Sequence, residues 1–412
     1  MCWEFPPKRS IGGRRWAKLA KSFVKLNYKV SVISNMPSSR HEPFHWISTE
    51  IYSKIKTYNC DENFLVKWLN DYSSPLRKIK VRVAKFFLEV CFKGTIYDRT
   101  IGVENAFCTL AKKVIEKDNI NIVFVTGAPF NLLYYTAMLR EQFKSIKIIC
   151  DYRDPWIKAQ NYGMKELTEK RRSYELQKQN YVFEKVDIVT APNGFLLQEI
   201  KETYTGKERK VAKFIELQHA FDPDDVITNR KVENKKIKIV YAGALYLGSD
   251  IYLKLINDSI DHIKQNAPDF LPEITIYTND MDKKDVFTRN SDTIKISNLI
   301  GEKIFEEVSK ADYIIILLAE HNKNYLTSKF FEFLPYKKPY IYIGPMGFVS
   351  QKIEKEKFGF CLMDKTDLLK ILSTQSNEKM ISDGLINENT FDSITKEFLK
   401  KIDFESFVNE YA

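Results

Sequence analysis

The fold is decided by residues 146–156, which read IKIICDYRDPW. The stretch from Ile146 to Cys150 is mostly apolar and predicts a short buried strand. That strand ends at the charged residues and at Pro155, because proline cannot continue a sheet ladder. A short apolar run that stops at charged residues is typical of a parallel strand whose carboxyl end faces a ligand.

The same pattern recurs between this strand and the N-terminus. An apolar run at 120–125 stops at the turn TGAP, residues 126–129. The predicted order upstream of the 146–150 strand is a loop around Gly12 and Gly13, a helix over 16–26, a strand at 29–33, a helix at 104–117, a strand at 120–125 and a helix through 135–143. This alternation predicts a parallel sheet with helices on both faces.

A second series of strands and helices follows residue 236. It begins with the strand 237–241, which ends at Gly243, and a helix near 252–266. Further strands are predicted at 273–277, 293–297, 313–318 and 340–343. Because the rhythm occurs twice, we expect an α/β protein with two Rossmann-like domains that face each other across a cleft.

The length supports two domains, since 412 residues exceed what one hydrophobic core usually supports. We predict an N-terminal domain at 1–222, a polar linker at 223–236 and a second domain at 237–392. The last segment, 393–412, is predicted to be a helix that packs back on the N-terminal domain.

Composition excludes several classes of protein. The longest apolar runs fall far short of the ~20 residues that cross a membrane, and the N-terminus lacks a leader pattern. Six scattered cysteines without a C-x-x-C pair argue against a disulfide framework or zinc site and indicate the cytoplasm. The net charge of +10 comes without a nucleic-acid-binding motif, so nucleic acid is not an expected partner.

One basic segment stands out, at residues 67–93. Seven basic side chains there face two acidic ones and alternate with apolar residues. A solvated helix face explains this pattern. An interfacial helix that binds anionic lipid on the inner face of the cell membrane explains it as well.

Glycines at predicted turns are candidates for binding phosphate. Gly12 and Gly13 open a helix and are followed by Arg14, and Gly127 ends a strand. Backbone N–H groups at a helix N-terminus attract anions. A plain turn is the alternative reading of the Gly-Gly pair.

The loop after the 146–150 strand supplies the candidate catalytic residues. Asp151, Arg153 and Asp154 place two carboxylates and a guanidinium at a strand end. They could orient a hydroxyl nucleophile or neutralise a developing phosphate charge. An internal salt bridge that closes the loop is the alternative.

In the second domain the candidate donor-binding residues are Gly243 and the helix that begins at Ser328. Lys329 and Glu332 are three residues apart and share a helical face. Lys329 would meet a diphosphate and Glu332 would accept hydrogen bonds from ribose hydroxyls. A surface ion pair is the alternative. Asp280-Met281-Asp282 matches a metal-binding D-x-D only in letters, so we expect no metal.

These segments, taken in order, resemble the GT-B-fold retaining glycosyltransferases that build bacterial surface polysaccharides such as O-antigen or capsule, the family 4-like group. The matching segments are 4–7 (EFPP), 12–15 (GGRR), 126–129 (TGAP), 151–156 (DYRDPW), 219–222 (HAFD), 241–243 (YAG) and 329–334 (KFFEFL). The resemblance implies a nucleoside-diphosphate sugar as co-substrate, held by the second domain, and no other cofactor. It also implies a saccharide or polyprenyl-diphosphate-linked acceptor, held by the first domain around Gly12 and the 151–156 loop.

The chain departs from that family in three places that bear on function. One is the loop where many relatives carry a catalytic-site histidine, which has Arg153 and Asp154 here. The loop 247–250 carries no cation where relatives commonly have one, and only Met1 to Glu4 precede the Phe-Pro-Pro element. Either the first strand is truncated or the start assigned to the sequence is late, and both readings predict a weakened first sheet. Two alternatives remain open: a nucleotide-sugar 2-epimerase of the same fold, and a non-catalytic nucleotide-sugar-binding scaffold.

Overall fold

A computed structural model describes residues 1–8, 11–35, 46–70, 75–159, 162–208, 211–227, 236–245, 248–298, 303–374 and 381–404. The chain divides into two compact units. The first comprises Met1–Gln218 with Ile394–Ala412, and the second comprises His219–Ser393. The domain limits predicted from the sequence stay predictions. Most of the predicted linker, 223–236, lies outside the described residues.

Over its described residues, the first unit contains six short parallel strands. They are β1 (Val30–Ser34), β2 (Ile55–Asn59), β3 (Ile122–Gly127), β4 (Lys147–Tyr152), β5 (Ile188–Ala191) and β6 (Lys213–Glu216). β1 pairs with β2, and the other four form a sheet in the order β3-β4-β5-β6. The helices are α1 (Ile11–Lys25), α2 (Thr49–Ser53), α3 (Phe64–Asn70), α4 (Arg77–Cys91), α5 (Glu104–Asp118), α6 (Asn131–Met138), α7 (Glu169–Lys185) and α8 (Gly194–Glu202).

The N-terminal residues lie between β1 and β3. On one side the amino group of Met1 donates to the carbonyl of Phe124, and the N–H of Thr126 donates to Met1 at 3.2 Å. On the other side the N–H of Cys2 donates to Ile33 at 3.0 Å. Residues 1–3 thus form a strand stub, and the spatial order becomes β2-β1-stub-β3-β4-β5-β6.

The core of the first unit explains why its elements form. All six residues of β4 are buried, as expected for a strand covered on both faces. The rings of Trp16 and Phe23 on α1 pack against Phe124 of β3 at 5.4 and 5.3 Å between centroids. Phe398, on the last helix, reaches the same Phe124 ring at 6.3 Å.

The second unit is built on one six-stranded parallel sheet. Its strands are β7 (Lys238–Ala242), β8 (Glu273–Tyr277), β9 (Ile294–Ser297), β10 (Tyr313–Leu317), β11 (Tyr340–Ile343) and β12 (Gly359–Cys361). They lie in the order β9-β8-β7-β10-β11-β12, the doubly wound order of a Rossmann fold. The helices are α9 (Asp250–Asn266), α10 (Ile304–Lys310), α11 (Ser328–Glu332), α12 (Phe348–Lys355), α13 (Asp367–Ser373), α14 (Asp383–Glu388) and α15 (Phe391–Lys401), which continues into the first unit.

The fold class predicted from the sequence, α/β with two Rossmann-like halves, is confirmed by these sheets. Each strand predicted for the second half lies within a residue or two of its place. Of the strands in the described part of the chain, β2, β5, β6 and β12 were not predicted. Within the described residues, none of the helices combines the length and the apolar character that a bilayer crossing requires.

Candidate active site

In the second unit, the switch point of the sheet lies between β7 and β10. The chain proceeds from β7 to β8 and β9 on one side, and from β10 to β11 and β12 on the other. Ligands in open α/β sheets bind beyond the carboxyl ends of the strands at such a point. Gly243 follows β7 there, and Glu320 follows the end of β10 by three residues.

Gly243 is closely surrounded. A Cβ on this residue would lie 2.7 Å from the Tyr241 hydroxyl and 3.3 Å from Cε of Lys329. The loop is held in place by the Tyr241 hydroxyl, which donates to Ala244 at 2.5 Å, and by the N–H of Leu245, which donates to Asp280 at 2.6 Å. The structure thus brings together Gly243 and Lys329, two of the predicted donor-binding residues.

The other two predicted donor-binding residues lie on the same short helix, α11. Ser328 is its first residue and Glu332 its last, and both are half-buried. The helix is anchored by Phe330, whose ring lies 4.9 Å from Phe358 and whose carbonyl accepts a 2.6 Å hydrogen bond from Tyr340. This anchoring fixes the position of Lys329 beside Gly243.

Asp280, the first residue of the D-x-D match, serves this loop. Its carboxylate accepts from the N–H of Leu245 at 2.6 Å and from the Thr278 hydroxyl at 3.3 Å. Among the described residues, no group of three or more His, Cys, Asp or Glu side chains is arranged to hold a metal ion.

In the first unit, Asp151 is fully buried at the end of β4. It accepts hydrogen bonds from the Trp16 indole at 2.9 Å, from Thr190 at 2.9 Å and from Arg15 at 3.3 Å. No oxygen is exposed to a substrate, because these donors and the surrounding core enclose the carboxylate. The carboxylate ties α1 to β4 and β5, and the catalytic role predicted for Asp151 stays a prediction.

Arg153 joins two of the predicted glycine loops. Its guanidinium donates to the carbonyls of Gly12 at 2.9 Å, Gly127 at 3.2 Å and Ala128 at 2.5 Å. Arg153 was predicted to neutralise phosphate, and the structure shows it holding the backbone of these loops. Asp154, half-buried, accepts from the Tyr162 hydroxyl at 3.1 Å, and burial together with Asp154 raises the pKa of Tyr162.

The predicted helix opening at Gly12 and Gly13 is confirmed, since α1 begins at Ile11. Gly13 has no room for a side chain, because a Cβ there would lie 1.5 Å from the carbonyl oxygen of Glu4. Arg14 is buried and stacks over the Trp46 ring at 5.3 Å. The opening of this helix therefore packs against the residue that follows the strand stub.

A group of five polar residues at neighbouring strand ends was not predicted from the sequence as a site. We call it the strand-end cluster; its members are Glu4, Lys8, Asn35, Glu62 and Arg99. Glu4 follows the stub, Asn35 follows β1 and Glu62 follows β2 by three residues. Arg99 donates to Glu4 at 2.6 Å, and Lys8 contacts Glu4 at 3.2 Å and donates to Asn35 at 2.9 Å.

The two carboxyls of the strand-end cluster have opposite pKa shifts. Burial disfavours ionisation of Glu4, yet Lys8 and Arg99 hold its pKa below the usual value. Burial raises the pKa of Glu62, against the opposing influence of the same two cations. Two carboxyls whose pKa values are shifted in opposite directions can act as the acid and the base of one reaction.

Comparisons with known proteins identify the fold. No protein-family model matches the sequence, and no curated protein matches it either. Among solved structures, the chain is similar to an α,α-trehalose-phosphate synthase (UDP-forming) from Burkholderia vietnamiensis, at a TM-score of 0.60 and 9% identity, covering 96% of each chain. It is also similar to the N-terminal domain of a trehalose-6-phosphate phosphatase from Candida albicans, at 0.59 and 11%, covering 98% of this chain and 96% of that one.

A third similar structure is a UDP-N-acetylglucosamine 2-epimerase, described as putative, from Listeria monocytogenes. Its TM-score is 0.51 at 12% identity, covering 96% of this chain and 94% of that one. At such low identities the similarity shows the fold alone. The chain has the GT-B fold of glycosyltransferases and of this epimerase.

Proposed function

We propose that the chain is a retaining glycosyltransferase that moves a sugar from a nucleoside-diphosphate sugar to a saccharide or lipid-linked acceptor in surface polysaccharide synthesis. The observation that carries this proposal is the closeness of Lys329 to Gly243 at the switch point of the second sheet, where a Cβ on the glycine would lie 3.3 Å from Cε of the lysine. A glycine there lets a phosphate approach the backbone, and a lysine beside it supplies the positive charge.

The chemistry needs charge stabilisation more than a dedicated base. The acceptor hydroxyl attacks the anomeric carbon as the bond from that carbon to the diphosphate oxygen breaks, and the hydroxyl proton passes to the leaving diphosphate. Negative charge develops on the diphosphate, where the Lys329 ammonium would stabilise it. Glu332, one turn along α11, would bind the ribose hydroxyls, and Ser328 would complete the donor site. No metal or other cofactor takes part in this scheme.

In the first unit we propose that the acceptor binds near Gly12, Gly13 and Arg14 and beside the loop of Arg153 and Asp154. The strand-end cluster extends this site, with Glu4 at the end of the stub. Gly127, bound by Arg153, forms the other wall. Asp154 keeps its proposed role in orienting an acceptor hydroxyl, because it is half-buried and a hydrogen-bond acceptor.

Nucleotide binding tests the donor site. Calorimetric titration with UDP, GDP, dTDP and CMP should find one nucleotide that binds the wild type. Lys329→Met should weaken that binding about 10- to 100-fold, the loss expected for charge-assisted hydrogen bonds. The matched control is Lys337→Met, whose lysine lies just beyond α11 and pairs with Asp383. Equal affinities in wild type and Lys329→Met would contradict the proposed site.

The 2-epimerase alternative is favoured by one observation, the opposed pKa shifts of Glu4 and Glu62. Epimerisation at C2 removes a proton from that carbon, whereas glycosyl transfer does not. Incubation with a UDP-N-acetylhexosamine in D₂O therefore separates the two reactions by mass. Deuterium at C2 would support the epimerase; binding of nucleotide without deuterium uptake, hydrolysis or transfer would support the scaffold.

We also propose that α4 carries the protein to an anionic membrane surface, where a polyprenyl-diphosphate acceptor would be found. Ala84 and Leu88 are buried and fix the helix to the protein. On its outer side Ile79, Phe86 and Val90 are 60%, 62% and 68% exposed, at spacings of seven and four that align them along one face. Basic residues accompany them on the same helix: Arg77, Lys78, Lys80, Arg82 and Lys85.

Apolar side chains on a basic helix fit the interface of an anionic bilayer. Vesicles with phosphatidylglycerol should sediment the wild type, and those of phosphatidylcholine alone should not. Phe86→Ser with Val90→Ser should reduce binding, while Phe195→Ser, at an exposed phenylalanine on α8, should leave it unchanged. Equal sedimentation of all variants would contradict the proposal.

A further inference from the structure

Arg99 of the strand-end cluster is a central residue of a tight turn, residues 98–101. The N–H of Ile101 closes the turn by donating to the carbonyl of Asp98 at 3.1 Å. The side chain of Asp98 closes it a second time, because one oxygen accepts from the N–H of Thr100 at 2.9 Å and from the Thr100 hydroxyl at 2.6 Å. Aspartate at the first position of a turn commonly makes such bonds. The backbone of Arg99 is therefore enclosed by hydrogen bonds that all end at Asp98.

The second carboxylate oxygen of Asp98 attaches this turn to α6. It accepts from the N–H of Phe130 at 2.7 Å and from the N–H of Asn131 at 3.0 Å, at the residues where α6 begins. Such N–H groups have no partner within the helix, and a carboxylate suits them because the helix dipole favours negative charge there. Asp98 is 4% exposed. A carboxylate this deeply buried, with four donors around it, fixes the turn on α6.

The chain is also held on both sides of the turn. Before the turn, Glu175 of α7 accepts from the N–H of Thr95 at 2.8 Å. Within it, the carbonyl of Thr100 accepts from the hydroxyl of Tyr135 on α6 at 3.1 Å. Glu175 and Tyr135 are both buried. The backbone of Arg99 is thus fixed to two core helices, although its side chain lies half exposed.

The cations of the strand-end cluster contact only one of the two oxygens of Glu4. Arg99 reaches Oε1 at 2.6 Å and Lys8 reaches the same oxygen at 3.2 Å. Within the part of the chain that the structure describes, no hydrogen bond reaches Oε2, and the side chain of Glu4 retains 10% exposure. An ionised carboxylate has acceptor positions on both oxygens. Glu4 can therefore accept a further hydrogen bond through Oε2 while Oε1 stays fixed.

Arg99 also influences the charge of Glu4. Burial disfavours ionisation of this carboxyl, and Lys8 and Arg99 together hold its pKa below the usual value. The other ionisable groups that interact with it are Glu62 and the thiol of Cys2, and neither is a cation. If Arg99 moved away, Lys8 alone would oppose the effect of burial. The pKa of Glu4 would then rise.

We propose that Asp98 is a positioning residue of the acceptor site. It holds Arg99 on Oε1 of Glu4, so that Glu4 stays ionised and its Oε2 accepts a hydrogen bond from a hydroxyl of the acceptor sugar. Asp98 itself touches no substrate. The part that concerns the acceptor rests on the proposed function, whereas the action of Asp98 on Glu4 through Arg99 does not.

Titration of the Glu4 carboxyl by ¹³C NMR tests this action without any substrate, and Glu4→Gln identifies the signal. Asp98→Asn should raise the pKa of Glu4, because an amide N–H₂ cannot accept the bonds that hold the turn and Arg99 is released. Arg99→Gln should raise it for the same reason, and its half-exposed position makes this variant safe for folding. The matched control is Asn193→Ala, which removes a buried side chain that caps α8 at 2.8 Å and should leave the titration unchanged.

A double variant shows whether Asp98 acts through Arg99. If it does, adding Asp98→Asn to Arg99→Gln should change the titration of Glu4 no further, because coupled residues are not additive. Thr100→Val is a milder variant that removes one of the four bonds of Asp98. It should raise the pKa of Glu4 by less than Asp98→Asn does, and it decides the matter if Asp98→Asn does not fold.

Kinetics test the part that concerns the acceptor. With p-nitrophenyl hexosides as acceptor probes, Asp98→Asn, Arg99→Gln and the double variant should lower kcat/KM for the probe by the same factor, about 10- to 100-fold. The acid limb of that pH profile should move to higher pH, and the affinity for nucleotide should not change. A loss of stability alone would move neither quantity.

Three results would overturn the proposal. One is a titration of Glu4 in folded Asp98→Asn or Thr100→Val that equals the wild type. The second is additive effects of Asp98→Asn and Arg99→Gln, and the third is an equal shift in Asn193→Ala, which would indicate general loosening of the unit. Absence of turnover with every probe would count against the proposed function, while the titrations would still decide the role of Asp98.

Discussion

Asp151→Asn distinguishes a structural carboxylate from a catalytic one. The substitution keeps the shape of the side chain but removes its charge beside Arg15, which is itself buried. In the native protein the indole of Trp16 and the hydroxyl of Thr190 both donate hydrogen bonds to the carboxylate. The amide N–H₂ of asparagine is itself a donor, so it would face one of these donors without accepting a hydrogen bond from it. Breaking a buried ion pair costs about 3–5 kcal/mol.

The expected cost lies near the lower limit, about 3 kcal/mol, because Arg15 keeps a 2.9 Å hydrogen bond to Gln218. For a unit of this size that corresponds to a fall in Tm of about 6–12 °C. Differential scanning calorimetry measures it, with Asp154→Asn as the matched control. Asp154 is half-buried and accepts one hydrogen bond from Tyr162, so its loss should cost under about 1 kcal/mol.

The two roles give opposite results. If Asp151 is structural, Asp151→Asn lowers the Tm and leaves the affinity of the second unit for nucleotide unchanged. If Asp151→Asn melts like the wild type while turnover is lost, the structural assignment is wrong.

Three further substitutions or conditions have expected outcomes. Between pH 6 and 8 the amino group of Met1 is protonated in the unfolded chain and neutral in the folded one, because folding lowers its pKa from 8.0 to about 6. The free energy of unfolding, measured by denaturant titration, should therefore rise by about 3 kcal/mol between pH 6 and pH 8. Acetylation of the N-terminus should abolish this rise. Gly243→Ala places a methyl group 2.7 Å from the Tyr241 hydroxyl, so it should weaken nucleotide binding about tenfold by calorimetry and also lower the Tm. Glu175→Ala leaves Lys178 as a buried cation and should destabilise the protein by about 3–5 kcal/mol in urea unfolding; additional replacement of Lys178 by Met should recover part of that loss.

The sequence was sufficient for β4 and β10, which are continuous apolar runs, whereas the equally buried β5 was missed because it has only four residues. β4 and β10 are buried on both faces and needed no neighbour to be recognised. β6 reads KFIE and is partly exposed along its length, and β12 has three residues, so neither contains such a run. Strands at the edge of a sheet are defined by their partners, which a single sequence does not show.

The candidate site was predicted less completely, for a related reason. Asp151 and Arg153 stand at a strand end, as catalytic residues do, but which way a side chain points depends on packing. Asp151 turns into the core and Arg153 turns towards backbone carbonyls. Glu62 belongs to the strand-end cluster because it follows β2, and that strand was not predicted.

The two units share a strand order, and the comparison of their switch points separates their chemistry. In each unit the switch point lies between the carboxyl ends of two adjacent central strands. These are β7 and β10 in the second unit, and the strand stub and β3 in the first. In the second unit those ends lead to Gly243 and to the segment before α11, where a cation meets a bare backbone. In the first unit they lead to Glu4 and Gly127, where a carboxyl is held by cations and a glycine carbonyl by Arg153.

One strand order therefore places a lysine beside a glycine in one unit and a cluster of charged, hydrogen-bonding side chains in the other. A diphosphate suits the first arrangement and a hydroxylated acceptor suits the second. The proposed assignment of donor and acceptor to the two units, which the resemblance implies, is supported by this difference in charge. It predicts that Lys329→Met changes the affinity for free nucleotide, whereas Glu4→Gln changes only the dependence of turnover on acceptor. If Glu4→Gln weakened the binding of free nucleotide as much as Lys329→Met does, this division of roles would have to be abandoned.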